Sequence, residues 1–320
     1  MQFIVSTTLP LFGLILAGYV AGWRGWLGAD ATRALGAFVF YFSLPLLLFR
    51  TLATAPGTEN FDFRFVLAYA AAALGTFGLM ALVGRRLFGL GLGEGALFGM
   101  ASCYGPTALV PLPIALQIFG PAAVLPLAMI IMIDNALLIP AAIAAQELER
   151  ARRGAAPGRG AAPSRVWTAT TRAVVSNPVI VATVLGIAFA FGEIPLPALV
   201  GGFAAIAGAA AIPCALFALG ITLAGVELSS RPGETGVMVA FKLILYPALV
   251  FGLMALIPGL DPIWRGAALI AAAGPIGINV YLVAVNYQTY LGRASTAMLV
   301  ATVLSLPILS AIAVWLAAAN

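Results

Sequence analysis

Apolar residues in this chain gather into ten stretches, each close to the roughly 20 residues that an α-helix needs to cross a bilayer. They predict helices at about 3–22, 33–53, 64–84, 94–119 and 121–147, then 168–191, 196–226, 235–257, 263–287 and 294–318. The polar intervals between them are short, apart from one arginine-rich loop at 149–167 that divides the stretches five and five. Glycine and proline inside the stretches do not exclude helices, because neighbouring helices satisfy the backbone groups they free.

The two halves repeat. Pro10, Pro45, Pro106 and Pro140 are answered by Pro178, Pro213, Pro275 and Pro307, at offsets of 168, 168, 169 and 167 residues. The spacing from Pro10 to Gly18 recurs from Pro178 to Gly186, and Pro45-Leu-Leu-Leu-Phe49 is matched by Pro213-Cys-Ala-Leu-Phe217. A unit that crosses the membrane five times and is used twice must sit inverted in its second copy. The expected fold class is therefore an all-α polytopic membrane protein, with ten transmembrane helices as two inverted five-helix repeats and broken crossover helices 4 and 9. The units are residues 1–148 and 168–320, joined by a flexible linker at 149–167 that could also touch anionic lipid.

The breaks are predicted from two Gly-Pro pairs. Helix 4 carries Ser102, Cys103, Tyr104, Gly105, Pro106 and Thr107, and helix 9 carries Gly274, Pro275, Gly277, Asn279 and Tyr281. Proline in mid-span removes a donor and clashes with the preceding turn. A half-helix restarting there presents free N–H groups and the positive end of its dipole, so two such ends near the midplane can hold an anion. Tyr104, Gly105, Pro106, Thr107, Gly274, Pro275, Asn279 and Tyr281 are the candidate substrate-binding residues. Ordinary proline kinks are the plainer alternative.

Asp134 in helix 5 is the acidic residue set deepest in an apolar span, a costly placement that marks an ion path or proton relay by default. It could exchange a proton, supply oxygens to Na⁺ together with Asn135, Thr302 and Ser305, or hold neighbouring helices together. These four are the candidate coupling residues, with H⁺ or Na⁺ as the coupling ion.

Composition narrows the class. Hydrophobic residues make up 62% and charged residues 8%, against about a quarter charged in a soluble domain. Positive charge lies mostly on one side. Loops after helices 1, 3, 5, 7 and 9 hold twelve arginines, with Lys242 near that side and able to snorkel to it, against Arg50, Arg64 and Arg265 opposite. The positive-inside rule puts the central loop in the cytoplasm and both termini in the periplasm. Trp23, Trp26, Trp167, Trp264 and Trp315 fall near predicted helix ends, as an interfacial belt requires. The first stretch reads as an uncleaved helix rather than a signal peptide. Fifteen arginines against one lysine suggest a GC-rich bacterial genome, hence the bacterial inner membrane. Cys103 and Cys214 have no metal or redox spacing and read as packing residues. With no histidine, one deep aspartate and no Walker loop, neither catalysis nor ATP hydrolysis is expected, and no nucleic acid, metal or cofactor.

Ser176-Asn177-Pro178 with Gly186, Pro213-x-x-Leu-Phe217-Ala-Leu-Gly220-Ile-Thr-Leu223, Pro275-x-x-x-Asn279-x-Tyr281 and Ala301-Thr302-Val-Leu-Ser305-Leu-Pro307 together resemble the auxin efflux carrier family. The resemblance covers nearly the whole chain. It implies the fold shared by plant PIN carriers and bile acid sodium symporters. There, helices 1, 2, 6 and 7 form a scaffold, usually a homodimer, and helices 3–5 and 8–10 form the moving transport domain. It also implies a secondary active transporter of small organic anions (carboxylates) by alternating access in a lipid membrane, with substrate at the crossover of helices 4 and 9. A Na⁺-coupled symporter of the bile acid type is the alternative within that fold, and a channel or sensor the alternative outside it. One departure stands out: family members commonly read Gly-Asn-Thr in helix 4, where this chain has Gly105-Pro106-Thr107.

Overall fold

In a bilayer each backbone polar group must be satisfied within the protein, so uniformly apolar segments fold as helices. The computed structural model describes residues 9–54, 62–152, 178–225 and 231–319, and among these every regular element is helical. α1 spans Leu9–Trp23. α2, residues 29–53, runs through Ala29–Phe38, a wide π turn at Val39–Ser43 and Leu44–Ala53. α3 spans Phe63–Phe88, capped by the Asp62 carboxylate, which accepts from the Arg64 N–H at 2.8 Å. The Arg64 side chain bonded to the same carboxylate holds Asp62 below the usual carboxylate range. α4 (Leu92–Ala101) and α5 (Pro111–Phe119) follow, and a 3₁₀ turn at Gly120–Ala123 leads into α6, residues 124–152, with a π turn at Asp134–Leu138. The remaining helices are α7 (Pro178–Phe191), α8 (Ala198–Ala209) and α9 (Ala211–Ala224). After them come α10 (232–255, with a π turn at Phe241–Leu245), α11 (Pro262–Ala272), α12 (Ile278–Tyr287) and α13 (Leu291–Ala319).

Six runs among the described residues are long and apolar enough to cross a membrane, and shorter apolar helices lie at Gly13–Trp23, Val181–Phe191 and Ile278–Tyr287. The chain is a polytopic helical membrane protein. The helix expected at 196–226 is the single apolar run Ala198–Ala224, in which a turn at Ala210, just ahead of Pro213, divides α8 from α9.

Proline also explains the π turns. Each ends two residues before a proline: Pro45, Pro140 and Pro247. Proline brings no N–H and its ring presses on the carbonyl four residues earlier, at Tyr41, Ala136 and Leu243. Widening the turn relieves that clash without ending the helix.

Two groups of helices result. In the first, α1 lies on α9, and α2 lies on α7, α8 and α9. Glycine sets these approaches, as small residues do between membrane helices. Gly18 faces the Phe217 backbone and Gly220 faces the Ile15–Tyr19 backbone, with no room for a Cβ at either. Gly186 presses in the same way on Phe49 and Leu52. In the second group, α3 packs on α4 and α10, α4 on α6, and α11 on α5, α6 and α10, while α13 packs on α10 and α12. Phe65, Tyr69, Phe98, Met100 and Tyr246 are fully buried in its core. At one end Arg293 lies 3.6 Å from both Glu94 and Glu234, and Tyr290 donates to Glu234, so α4, α10 and α13 are tied together. The two groups meet chiefly where α6 lies against α2 and α7.

Two expectations are corrected. Trp264, in the first turn of α11, does not face lipid as a belt residue would: it is 4% exposed and meets Phe65 edge-on, ring centroids 4.8 Å apart, while Trp23, Trp26 and Trp315 are exposed. Lys242 does not snorkel. It is fully buried, and its ammonium donates to the Ala272 carbonyl at 2.6 Å, since its position in α10 points it into the second group rather than along the surface. Of the expected linker, Glu149–Arg152 continue α6, and residues 153–167, with Trp167 and the Ser176-Asn177 start of the second half, lie outside the described residues.

Candidate functional site

The helix breaks are where the Gly-Pro pairs put them. α4 ends at Ala101, residues 102–110 are not helical, and α5 restarts on Pro111, whose missing N–H is no loss at a first position. α11 ends at Ala272, and the chain runs through Gly274-Pro275 to Gly277, an extended residue (φ −75, ψ 145) that caps α12. The two interruptions touch. Gly277 N–H donates to the Tyr104 carbonyl at 3.2 Å. A methyl group on Gly105 would lie 3.4 Å from the Ala271 carbonyl oxygen and 3.5 Å from both the Pro275 carbonyl oxygen and Lys242 Nζ. At Gly277 no Cβ fits, because the Tyr104 ring lies directly against it, and at Gly274 a Cβ would press on the Pro111 ring.

A broken helix leaves its last carbonyls without partners. Lys242 supplies one for Ala272, and so brings a buried cation to the edge of the crossing. Its ammonium also stands over the Tyr246 ring, 5.3 Å from the centroid. Asp134 is 2% exposed, at the start of the π turn in α6. Neither of its oxygens has a partner of strict hydrogen-bond geometry, but Lys242 acts on it through charge and the Tyr69 hydroxyl as a nearby donor. Asp134, Lys242, Tyr69 and Tyr246 thus form one buried polar group beneath the crossing.

A second set of side chains spans the crossing itself. Asn279 Nδ2 donates to the Tyr104 hydroxyl, which donates to Asn135 Oδ1 at 3.3 Å, and Asn135 Nδ2 donates to the Ile131 carbonyl at 2.7 Å. Asn135, expected among the coupling residues, therefore also joins Tyr104 and Asn279. Thr107 is buried and its hydroxyl has no hydrogen-bond partner. Pro106 and Tyr281 are half-buried, on the break and on α12. Ser102 bonds back to the Phe98 carbonyl. Thr302 and Ser305 are buried in α13, where their hydroxyls donate to Met298 and Thr302 carbonyls of the same helix.

Sequence reasoning missed Lys242, Tyr69 and Tyr246. The signal for Lys242 was present: it is a charge ten residues from one end and thirteen from the other of the apolar run 232–255, the same costly placement that singled out Asp134.

Arrangement and relatives agree on a class of protein. A family model described as "Membrane transport protein" matches residues 3–313. The "Putative malonate transporter" of Rhizobium meliloti (strain 1021) is 32% identical over 306 residues, which cover 94% of this chain and 92% of that protein. The chain belongs to the membrane transport protein family, the auxin efflux carriers its motifs resemble, and is a membrane transporter rather than an enzyme.

Proposed function

We propose that this protein is a secondary active transporter of small organic anions, with carboxylates such as malonate as substrates, working by alternating access. The observation that carries the reading is the contact of two interrupted helices beside a buried lysine. A carboxylate placed there meets free N–H groups and the positive end of α12, as well as a cation held inside the protein. The similarity to a protein named for malonate supports the substrate class.

In this reading the two halves are inverted repeats. The proline offset also relates packing contacts: Gly18 presses on Phe217 and Gly186 on Phe49, and 168 residues separate both Gly18 from Gly186 and Phe49 from Phe217. α1, α2, α7, α8 and α9 form the scaffold, which pairs with a second copy in the membrane. The other helices form the moving body that carries the crossing, and the arginine-rich side faces the cytoplasm. Asp134 acts with Lys242, so the pair answers the substrate's charge from within the protein. That favours coupling to protons or to membrane potential over a sodium site built on Asp134.

The test is uptake of labelled malonate, malate, an aromatic acid and a bile acid into proteoliposomes, under a proton gradient, a Na⁺ gradient or voltage alone. Saturable malonate uptake that needs a proton gradient or voltage, and falls in Asp134→Asn, is expected. Uptake that needs Na⁺ would install the bile-acid-type symporter in its place. Ion conductance with no saturable uptake would overturn the carrier itself.

A further inference from the structure

The turn from α12 into α13 holds two residues in the left-handed region, Gln288 (φ 51) and Tyr290 (φ 64). Glycine is the usual occupant of such positions, and a bulky residue there is strained. Gln288 ends α12, its N–H and that of Thr289 bonded back to the Val285 and Ala284 carbonyls. A tyrosine on each side of this turn closes the same triangle of contacts. Tyr287 donates to Glu147 of α6 at 2.7 Å, Arg150 lies 3.8 Å from that carboxylate, and the Arg150 guanidinium stands over the Tyr287 ring, 4.4 Å from its centroid. Tyr290 donates to Glu234 of α10, Arg293 lies 3.6 Å from Glu234, and the Arg293 guanidinium stands over the Tyr290 ring, 5.2 Å from its centroid. Each tyrosine thus gives its hydroxyl to a carboxylate and its ring to the arginine that neutralises that carboxylate.

We propose that the two triangles are a latch that shuts the arginine-rich side of the crossing, and that the strained turn between them drives it open. The proposal rests on the alternating-access reading above and gives one of its two states a physical cause. α4 and α12 are the half-helices that join that face to the crossing, α4 from Leu92 to Ala101 and α12 from Tyr287 back to Ile278. Arg293 also lies 3.6 Å from Glu94 in the first turn of α4, so the second triangle holds both half-helices. Backbone strain persists only where surrounding contacts over-determine it, and it gathers at switches. Here those contacts are ones that water can replace: Arg150 is exposed, Glu147 is half-buried, and Arg293 Nη1 faces both of its glutamates without a hydrogen bond. When they part, Gln288 and Tyr290 relax, α12 is released from α6 and α10, and the crossing opens to that face. This is a local movement inside the second group of helices, in addition to any sliding of the group as a whole. Latch bonds and turn strain act with opposite signs on one equilibrium.

Cys103, 1% exposed in the break of the first crossing helix, reports the opening. With Cys214 replaced by alanine, its rate of reaction with N-ethylmaleimide is measured on the full chain in nanodiscs, beside a thermal unfolding curve for each variant. Tyr290→Phe keeps the ring under Arg293 and loses the bond to Glu234, so labelling should quicken about tenfold, the worth of one hydrogen bond to a charged group. Tyr287→Phe, at the more exposed triangle, should quicken it about threefold. Gln288→Gly removes strain from the shut state and should slow labelling about fivefold. Residues that merely stabilised the fold would shift the unfolding midpoint and leave labelling at the parent rate. Folded Tyr290→Phe labelled at the parent rate, or Gln288→Gly labelled no slower than the parent, overturns the latch and leaves the transporter reading in place. Tyr287→Phe decides in the same way if Tyr290→Phe does not fold. A Cys103 that reacts in no variant until the protein is unfolded overturns the latch and the alternating-access reading together.

Discussion

A charge inside a membrane protein is tolerated when something opposite answers it, and Lys242 and Asp134 are each other's answer. They are not in contact as an ion pair. Lys242 bonds to the Ala272 carbonyl rather than to Asp134. Removing one partner leaves the other without an answering group in a buried site, whereas removing both is cheaper. Lys242→Met and Asp134→Asn should therefore each lower the unfolding midpoint in detergent more than the double variant does. Additive losses would show that the two residues are independent. At this scale the sequence was read unevenly. Asp134 was legible as a buried acid because it lies amid Ile and Met deep in an apolar run, though the run alone left its role open. Lys242 was assigned to a surface because lysine has a long stem, and only three-dimensional packing shows which way a stem points. Tyr104 was legible as a candidate, but its link to Asn135, across 31 residues, was not.

Between residue and molecule, the helices follow from apolar length and their defects from proline and glycine. The breaks at Gly105-Pro106 and Gly274-Pro275 were readable, since two interruptions at matched places have a local cause in each helix. The π turns were not, because a proline alone does not say whether a helix breaks, bends or widens. That depends on whether neighbours satisfy the freed carbonyls. Glycine divides in the same way. Gly220 lies where α1 and α9 touch backbone to backbone, while Gly202 in α8 has open space where its Cβ would be. Alanine at Gly220 must push α1 away from α9 and should cost about 1–3 kcal/mol, the usual penalty of overpacking. Alanine at Gly202 should be neutral or mildly stabilising, because alanine is the better helix former. Unfolding midpoints in detergent compare the two, and equal effects would mean that the α1–α9 contact does not constrain the fold.

At the scale of the whole molecule, the distribution of contacts is itself an argument about motion. α1, α2, α7, α8 and α9 pack closely on one another, and α3–α6 pack with α10–α13. Arg293 with its two glutamates further ties the second set into one body, joining helices from both halves of the chain. Packed interiors move as units rather than deforming smoothly, so a change of access should occur at the seam where α6 meets α2 and α7. The crossing, carried wholly by the second set, would travel with it. A disulfide between cysteines introduced on α2 and α6 at that seam, with Cys103 and Cys214 replaced by alanine, should stop uptake on oxidation and restore it on reduction. A disulfide placed between α1 and α9, inside the first set, should leave uptake unchanged. Full activity of the seam-locked protein would mean that transport does not need the two sets to slide, and would leave smaller movements of the half-helices α5 and α12 as its source.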